Sequence, residues 1–480
     1  MYDVAVIGAG VTGCMTARVL SRYEVSVCVL ERANDAAAGA SRANSGIVHA
    51  GFDARPGSLK ARLGVRGAAL MARTAAELGV EYRQNGSLVL GFDQRDRNAI
   101  ERLYWQGQEN GVFGLQILDA DQLHRLEPNA AARAVCALYA PTGAVVCPYG
   151  LTIAALGNAM DNGTAFFRGF AVVAMEETGV GMRIHARDGR WVEARYVVNA
   201  AGVYADRVAE MAGDSSFSIQ PRRGEYLLLD KECGGLVQCT VFRTPAKLGK
   251  GILVSPTADG NLLLGPTAEG QESREDTGTT AKGLAEILGQ AGAEVEQIRT
   301  GMAIASFAGL RAVGSTGDFI IRPWGRRMVH AAGIESPGLS AAPATAEYIL
   351  DLLRTLGLET VQKTNYNPFR RSAHWIRDLP LAEKDEYIRT HPAYGKIVCR
   401  CEGVSEGEIL ETLERAPEAL DLDGVKRRIR SGMGRCQGGF CTPRVTELIA
   451  EARKIPICQV TKSGGGSFII CRNTKGGGGE

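Results

Sequence analysis

Short apolar runs separated by glycine-bearing turns set the rhythm of the first third of this chain. Tyr2–Ile7 is mostly apolar along its length, the pattern of a strand buried on both faces of a parallel sheet. A helix is predicted from about Thr12 to Ser21, and a second buried strand over Val25–Leu30. Residues 39–66 lose this periodicity and are rich in Gly, Ser and Arg, as expected of a loop wrapped around a ligand. The segment GVEYRQNGSLVLGF reads as strand–turn–strand, and Arg195–Asn199 as a further buried strand closed by Ala200, Ala201 and Gly202. GEYLLLD, GILVSPT and GNLLLGP follow between 224 and 266, the last two joined by an Ala-Asp-Gly turn. Met328–Ala332 returns to a core strand and Ala342–Leu356 to a helix. An antiparallel sheet inserted into a parallel α/β domain accounts for this order. A polar linker with Asn365, Pro368, Arg370 and Arg371 leads to a cysteine-bearing module; a short strand, IPICQV, and a mobile Gly-rich tail follow it. No internal repeat is visible.

Length changes the picture first. A chain of 480 residues exceeds one ordinary core, so two or three domains are expected. Hydrophobic residues at 45% and charged residues at 22% are normal for a soluble globular protein. A net charge of +2 gives no footing for nucleic acid or a membrane surface. The opening MYDVAVIGAG starts the fold without a targeting segment, and no apolar run approaches the roughly 18 residues of a spanning helix. A cytoplasmic setting is expected, with association to a membrane only through a partner. There the 12 cysteines stay reduced and free to ligate metal.

The first chemistry lies in Gly8-Ala9-Gly10-Val11-Thr12-Gly13, a G-x-G-x-x-G set between strand and helix. Gly8 permits the tight turn, Gly10 a close approach of pyrophosphate to backbone, and Gly13 close helix–strand packing. The helix N-terminus offers its N–H groups to phosphate. Glu31 ends the next strand and is placed to accept from an adenosine ribose, with Arg32 beside it. A second glycine-bearing segment, HAAGIESPGLSAAPATAEYI at 330–349, puts Gly333 after a strand and Gly338 at a helix start. The fingerprint alone fits FAD or NAD; an NAD-only enzyme rarely needs such a second segment, and that helix N-terminus could face a flavin ring and stabilise negative charge on it.

With these two segments, ANSGIVHAG at 43–51 and NAAGVYAD at 199–206, the chain resembles the FAD-dependent D-amino-acid-oxidase superfamily over roughly residues 1–360. The resemblance implies an α/β fold with a Rossmann-like FAD-binding domain and an inserted antiparallel-sheet substrate domain. On that pattern residues 1–80, 146–215 and 320–365 form the discontinuous FAD domain, and 81–145 with 216–319 the substrate cap. Residues 366–393 are the linker, 394–450 the cysteine module and 451–480 the tail. The resemblance lays Asn44, Ser45 and Gly46 along the flavin with His49 near its ring, and adds Ala201, Gly202, Leu339 and Ser340 to the cofactor contacts.

ANSGIVHAGF with PGSLKARL resembles both the L-2-hydroxyglutarate oxidase group and the glycerol-3-phosphate dehydrogenase group. Oxidising a secondary alcohol needs a base for the hydroxyl proton, and histidine, titrating near neutrality, suits the task at His49. Both candidate substrates are anions. Arg311, in FAGLRAVG, matches the Gly-Leu-Arg position that these families use to grip carboxylate or phosphate, and its fork suits bidentate contact. Arg223, Tyr226 and Lys247 are further candidates on the inserted sheet.

Cys399 and Cys401 in VCRCEGVS, with Cys436 and Cys441 in GMGRCQGGFC, form a C-x-C … C-x4-C quartet. Four thiolates suit zinc or an iron–sulfur cluster, although zinc ribbons favour C-x2-C twice. The segment at about 394–450 resembles the [2Fe-2S] domain of bacterioferritin-associated ferredoxin, which implies these four as cluster ligands. Glycines 432, 434, 438 and 439 let backbone N–H groups approach sulfides. Cys458 and Cys471 read as ordinary thiols, Cys14 and Cys28 as small buried hydrophobes.

Flavin fold and cluster module together resemble the A-subunit group of anaerobic glycerol-3-phosphate dehydrogenases. The implied activity is oxidation of sn-glycerol 3-phosphate to dihydroxyacetone phosphate by hydride transfer to flavin N5. Electrons would leave through the cluster to a partner, a second flavoprotein or a membrane-associated subunit. An L-2-hydroxyglutarate (2-hydroxy acid) dehydrogenase or oxidase is the alternative, and an oxidase with a structural cluster and a ferredoxin-like subunit with a dead flavin site are others.

Overall fold

The N-terminal apolar runs assemble into an eight-stranded sheet in the computed structural model, which describes residues 1–244 and 251–472. Tyr2–Ile7 lies at its centre, parallel to Val27–Leu30 on one side and Trp191–Asn199 on the other. Met328–Ala332 continues the parallel set beyond Trp191–Asn199 and carries Ile320–Trp324 as its antiparallel neighbour. The carboxyl ends of three parallel strands thus meet where Ile7, Leu30 and Asn199 stop, the place at which α/β sheets bind ligands.

Glycines position the helices over this sheet. The helix Val11–Leu20 starts from Gly10 in extended backbone, and its first N–H is held by Ser41 Oγ at 2.9 Å. A Cβ on Gly13 would lie 2.0 Å from Gly8 O, so only glycine allows that closeness. Gly338–Thr355 packs beside it on buried alanines. The long helix Leu59–Leu78 crosses that one at Gly67, where a Cβ would lie 2.2 Å from Ser340 O. Ser58 caps its start and Gly79 its left-handed end.

A second, nine-stranded sheet forms the other half of this N-terminal body. Its spine is the antiparallel pair Ile219–Leu229 and Ala303–Gly314, flanked by Leu262–Gly265 and Leu253–Pro256. Its apolar face packs with the helix Ala281–Glu294 around Leu227, Val254, Leu264 and Ile287.

The C-terminal module has its own core of Val404, from the short strand Val404–Ser405, with Ile409, Val425, Leu448 and Ile449 from the helices Glu406–Glu414, Leu422–Ile429 and Thr442–Arg453. Charge docks it on the N-terminal body. Asp35 receives Arg427 at 2.7 Å and Arg428 at 2.8 Å; burial raises the Asp35 carboxyl, yet the two guanidiniums hold it well below the carboxylate range. Arg430 reaches Asp259, Glu402, Asn261 and the Tyr149 hydroxyl, and Arg435 pairs with Asp230.

Four local expectations are corrected. Residues 39–66 are not all loop, because Ser58 nucleates a helix from Leu59. Tyr82–Arg83 and Ser87–Gly91 do not form a hairpin; they pair into different sheets across Gly86 at φ 73°. The linker contains the helix Leu381–Thr390 and is tied down where Arg370 meets Asp161 at 2.8 Å. IPICQV is a 3-10 turn, Ile457–Gln459, that follows Pro456: Ile457 and Cys458 are exposed, while Val460 enters the core of the module. Lys247 and the Gly-rich tail lie outside the described residues.

Candidate functional site

A large cavity of ≈ 1690 Å³ opens at the carboxyl ends of the parallel strands and reaches under the second sheet. It exceeds the roughly 300–1,000 Å³ of an ordinary small-molecule site and has room for an extended cofactor with a substrate. Its lining takes in Gly8 and Gly10 of the fingerprint together with Glu31, Arg32, Ala201 and Gly202. Gly8 holds φ 105°, and a Cβ there would stand 2.4 Å from Ala200 O. The turn is therefore shaped for backbone to meet a ligand, the cradle a dinucleotide requires.

Glu31 is partly buried, and desolvation raises its carboxyl. Its two oxygens accept the Ala9 and Ala33 N–H groups at 2.8 and 2.9 Å, fixing the fingerprint turn and leaving lone pairs for a ribose. Arg32 lies over the Tyr204 ring at 4.3 Å and pairs with Glu275 at 2.9 Å.

Asn44 and Ser45 line the middle of the cavity. The Asn44 amide ties the loop to Ala40 O and Ser41 O and accepts from Gly46 N–H at 2.9 Å. Gly46 stands behind the lining at φ 67°, where a Cβ would lie 2.7 Å from Val146 O. Gly338, Leu339 and Ser340 line the cavity at the start of their helix, whereas Gly333 is placed behind it against Gly314.

His49 is 4% exposed and lines the same cavity, its ring 4.7 Å from Phe52 and 5.6 Å from Phe242. Its Nδ1 is 3.2 Å from the donating Gly51 N–H and 3.4 Å from Asp53 Oδ1. Arg311 enters from the second sheet, bonding Thr267 O at 3.3 Å. Gly224 makes room for it, since a Cβ there would meet Arg311 Nη2 at 2.8 Å. Tyr226 lines the cavity stacked on Phe307; burial raises its phenol against the pull of Arg311. Arg223 is not a ligand candidate here. It is spent on Glu269 at 2.6 Å and Asp276 at 3.1 Å and does not line the cavity.

The cysteine quartet resolves into two pairs. Cys401 and Cys436 bring their Sγ atoms to 3.6 Å at the surface, while Cys399 and Cys441 share a hydrogen bond in the interior. That bond, with N–H groups of Gly432 and Glu402, draws the Cys399 thiol down to about 5 against burial. The Phe440, Gly438 and Gly439 N–H groups serve Cys436. A Cβ on Gly434 would lie 2.4 Å from Cys401 Cβ. Among the described residues no three His, Cys, Asp or Glu side chains close on one ion. Two thiolate pairs in a nest of N–H donors fit a two-iron cluster. Cys14 and Cys28 are buried and Cys458 and Cys471 exposed, outside the quartet.

Several site residues carry no sequence signal. Ser41, Asp53 and Phe242 join the cavity only through the fold. So do Arg427 and Ser463, which the C-terminal module contributes to the same lining. Among the described residues no helix is long and apolar enough to cross a membrane.

Residues 3–352 match the family described as FAD dependent oxidoreductase (DAO), and residues 397–451 match the BFD-like [2Fe-2S] binding domain. The chain is 43% identical over 477 residues to a glycerol 3-phosphate dehydrogenase of Caloramator mitchellensis, covering 99% of each chain. It is 31% identical over 283 residues to the mitochondrial L-2-hydroxyglutarate dehydrogenase of Homo sapiens, covering 56% of this chain and 61% of that one. The dithionite-reduced L-alpha-glycerophosphate oxidase of Mycoplasma pneumoniae with FAD bound superposes with a TM-score of 0.73 at 29% identity, over 77% of this chain and 98% of that one.

Proposed function

Since the chain belongs to the FAD-dependent oxidoreductase family and carries a BFD-like [2Fe-2S] binding domain, we propose that it oxidises the secondary alcohol of sn-glycerol 3-phosphate to dihydroxyacetone phosphate and passes the electrons to a partner protein. One observation carries the substrate: the 43% identity to a glycerol 3-phosphate dehydrogenase spans both modules and 99% of each chain. Bound FAD supplies the two-electron hydride acceptor and the cluster a one-electron outlet.

This chain's residues do the rest. Gly8, Gly10 and the helix N-terminus at Val11 hold the dinucleotide, with Glu31 at the ribose end. Arg311 clamps the substrate phosphate and so orients the neighbouring carbinol. His49 takes the hydroxyl proton. Asp53 Oδ1, 3.4 Å from Nδ1, stabilises the charge that the ring gains with the proton, and the Gly51 N–H on the same nitrogen fixes the ring's orientation. Phe52 and Phe242 keep water from the imidazole. At the far module, Cys399, Cys401, Cys436 and Cys441 hold the cluster, with the Cys401–Cys436 pair toward solvent, the side from which a partner can draw electrons.

Anaerobic titration of the purified chain with sn-glycerol 3-phosphate, followed by visible absorbance and electron paramagnetic resonance, tests this. Flavin bleaching followed by a reduced-cluster signal is expected. Bleaching by L-2-hydroxyglutarate alone would move the chain to the other substrate class. Stoichiometric peroxide in air would make it an oxidase.

A further inference from the structure

Arg427 belongs to the C-terminal module yet borders the large cavity beside Asn34, Arg42 and the fingerprint turn. Its side chain is 6% exposed, and it spends Nη2 on Asp35. Its Nε is buried with no hydrogen-bond partner among the described residues. A buried guanidinium N–H without an acceptor is costly and points to a missing anion or oxygen. Arg42 supports this from the opposite strand of chain. Desolvation and, next, the charge of Arg427 depress its guanidinium although the residue is exposed at the cavity, so an anion here would relieve both cations.

The anion that the cavity offers at this place is the diphosphate of the dinucleotide. Ser41, adjacent to Arg42, holds the first N–H of the fingerprint helix, and Gly10 lies against Ser41 Oγ. The loop bearing Asp35 is tied to the same turn, because the Ala37 N–H donates to Ala9 O at 3.0 Å. Arg427, held by Asp35, therefore belongs to the same cavity lining as the turn that receives phosphate. We propose that the [2Fe-2S] module completes the flavin site in cis, Arg427 donating from Nε to the FAD diphosphate. The module is then a structural part of cofactor binding as well as an electron outlet. This rests on the cavity being the flavin site.

Arg428 provides the control. It grips the same Asp35 and shares with Arg427 the small cavity of ≈ 90 Å³ between the modules, but it does not border the large one. FAD would be titrated into deflavinated wild type, Arg427→Met, Arg427→Lys and Arg428→Met by flavin fluorescence, with cluster content checked by visible circular dichroism and iron analysis. Arg427→Met should weaken FAD binding by about tenfold or more, the scale of one lost charge-assisted hydrogen bond, with the cluster retained. Arg427→Lys should recover part of the loss, and Arg428→Met should bind FAD like wild type. Unchanged affinity in Arg427→Met overturns the inference. So does equal weakening in Arg428→Met, which would mean that docking alone matters. A wild type that binds no FAD would instead sink the flavin reading beneath it.

Discussion

Ser340 Oγ accepts the backbone N–H of His49 at 2.6 Å, joining residues that stand 291 apart in the chain. The candidate base is thus pinned to the first turn of the helix Gly338–Thr355, which also lines the flavin end of the cavity. Base and cofactor contact share one support, so their separation is set by a hydrogen bond rather than by a loop.

Ser340→Ala should leave fold and flavin content intact and lower kcat. The lost bond is worth about 1 kcal/mol, near a fivefold effect if it is felt wholly at the base. Steady-state turnover against flavin stoichiometry reads it. Loss of flavin with unchanged turnover per bound flavin would show that Ser340 serves the cofactor alone.

Removing the imidazole should do more. His49→Gln is expected to slow substrate-driven flavin reduction by about 10²–10⁴, the usual scale of general-base loss. Asp53→Asn should slow it less, by removing the negative charge 3.4 Å from Nδ1 that favours the protonated ring. Rapid-mixing absorbance resolves both. An Asp53→Asn rate equal to wild type would remove Asp53 from the stabilisation of the protonated ring.

Arg311→Met should raise KM for glycerol 3-phosphate by about tenfold to a hundredfold, the scale of a lost charge-assisted contact. Gly224→Ala should copy it in part, because the new Cβ would stand 2.8 Å from Arg311 Nη2. Equal KM in both variants and wild type would place the phosphate elsewhere.

Cys401→Ser should abolish the cluster's electron paramagnetic resonance signal while substrate still bleaches the flavin. Electron delivery to a one-electron acceptor should fall. Cys401 is exposed and Cys399 buried, so the first substitution tests redox function with less damage to the module core. Cys458→Ser, outside the quartet, should change neither signal.

What the sequence disclosed follows from how local each feature is. The fingerprint, Met328–Ala332 and the cysteine quartet are contiguous or periodic, and the fold keeps them where their patterns place them. Tyr82–Arg83 and Ser87–Gly91 share a strand pattern, but their pairing is decided by distant partners, Val146 in one sheet and Leu138 in the other. IPICQV shows why composition alone is weak: apolar residues make a strand only where a sheet edge awaits them, and here Val460 reaches the module core from a turn. Arg427 was beyond reach because its meaning lies in Asp35 and the cavity, joined to it only by docking of the module.

Glu294 gives a prediction that no activity assay enters. It is fully buried at the end of the helix Ala281–Glu294, and neither carboxylate oxygen has a hydrogen-bond partner among the described residues. A negative charge there also opposes the helix dipole. Burial pushes its carboxyl up to about 8, the Arg243 and Arg133 charges offsetting only part of that. Between the ordinary value of 4.5 and about 8 the folded chain keeps a proton that the unfolded chain releases. Stability contributed by this neutral carboxyl is complete below the lower value and falls as pH rises through the window. Glu294→Gln keeps the shape and cannot ionise, so its advantage over wild type should be small near pH 5 and grow to roughly 3 kcal/mol near pH 8.5. Chemical denaturation at the two pH values measures it, and a difference that does not change with pH would show that the carboxyl is ionised in the fold.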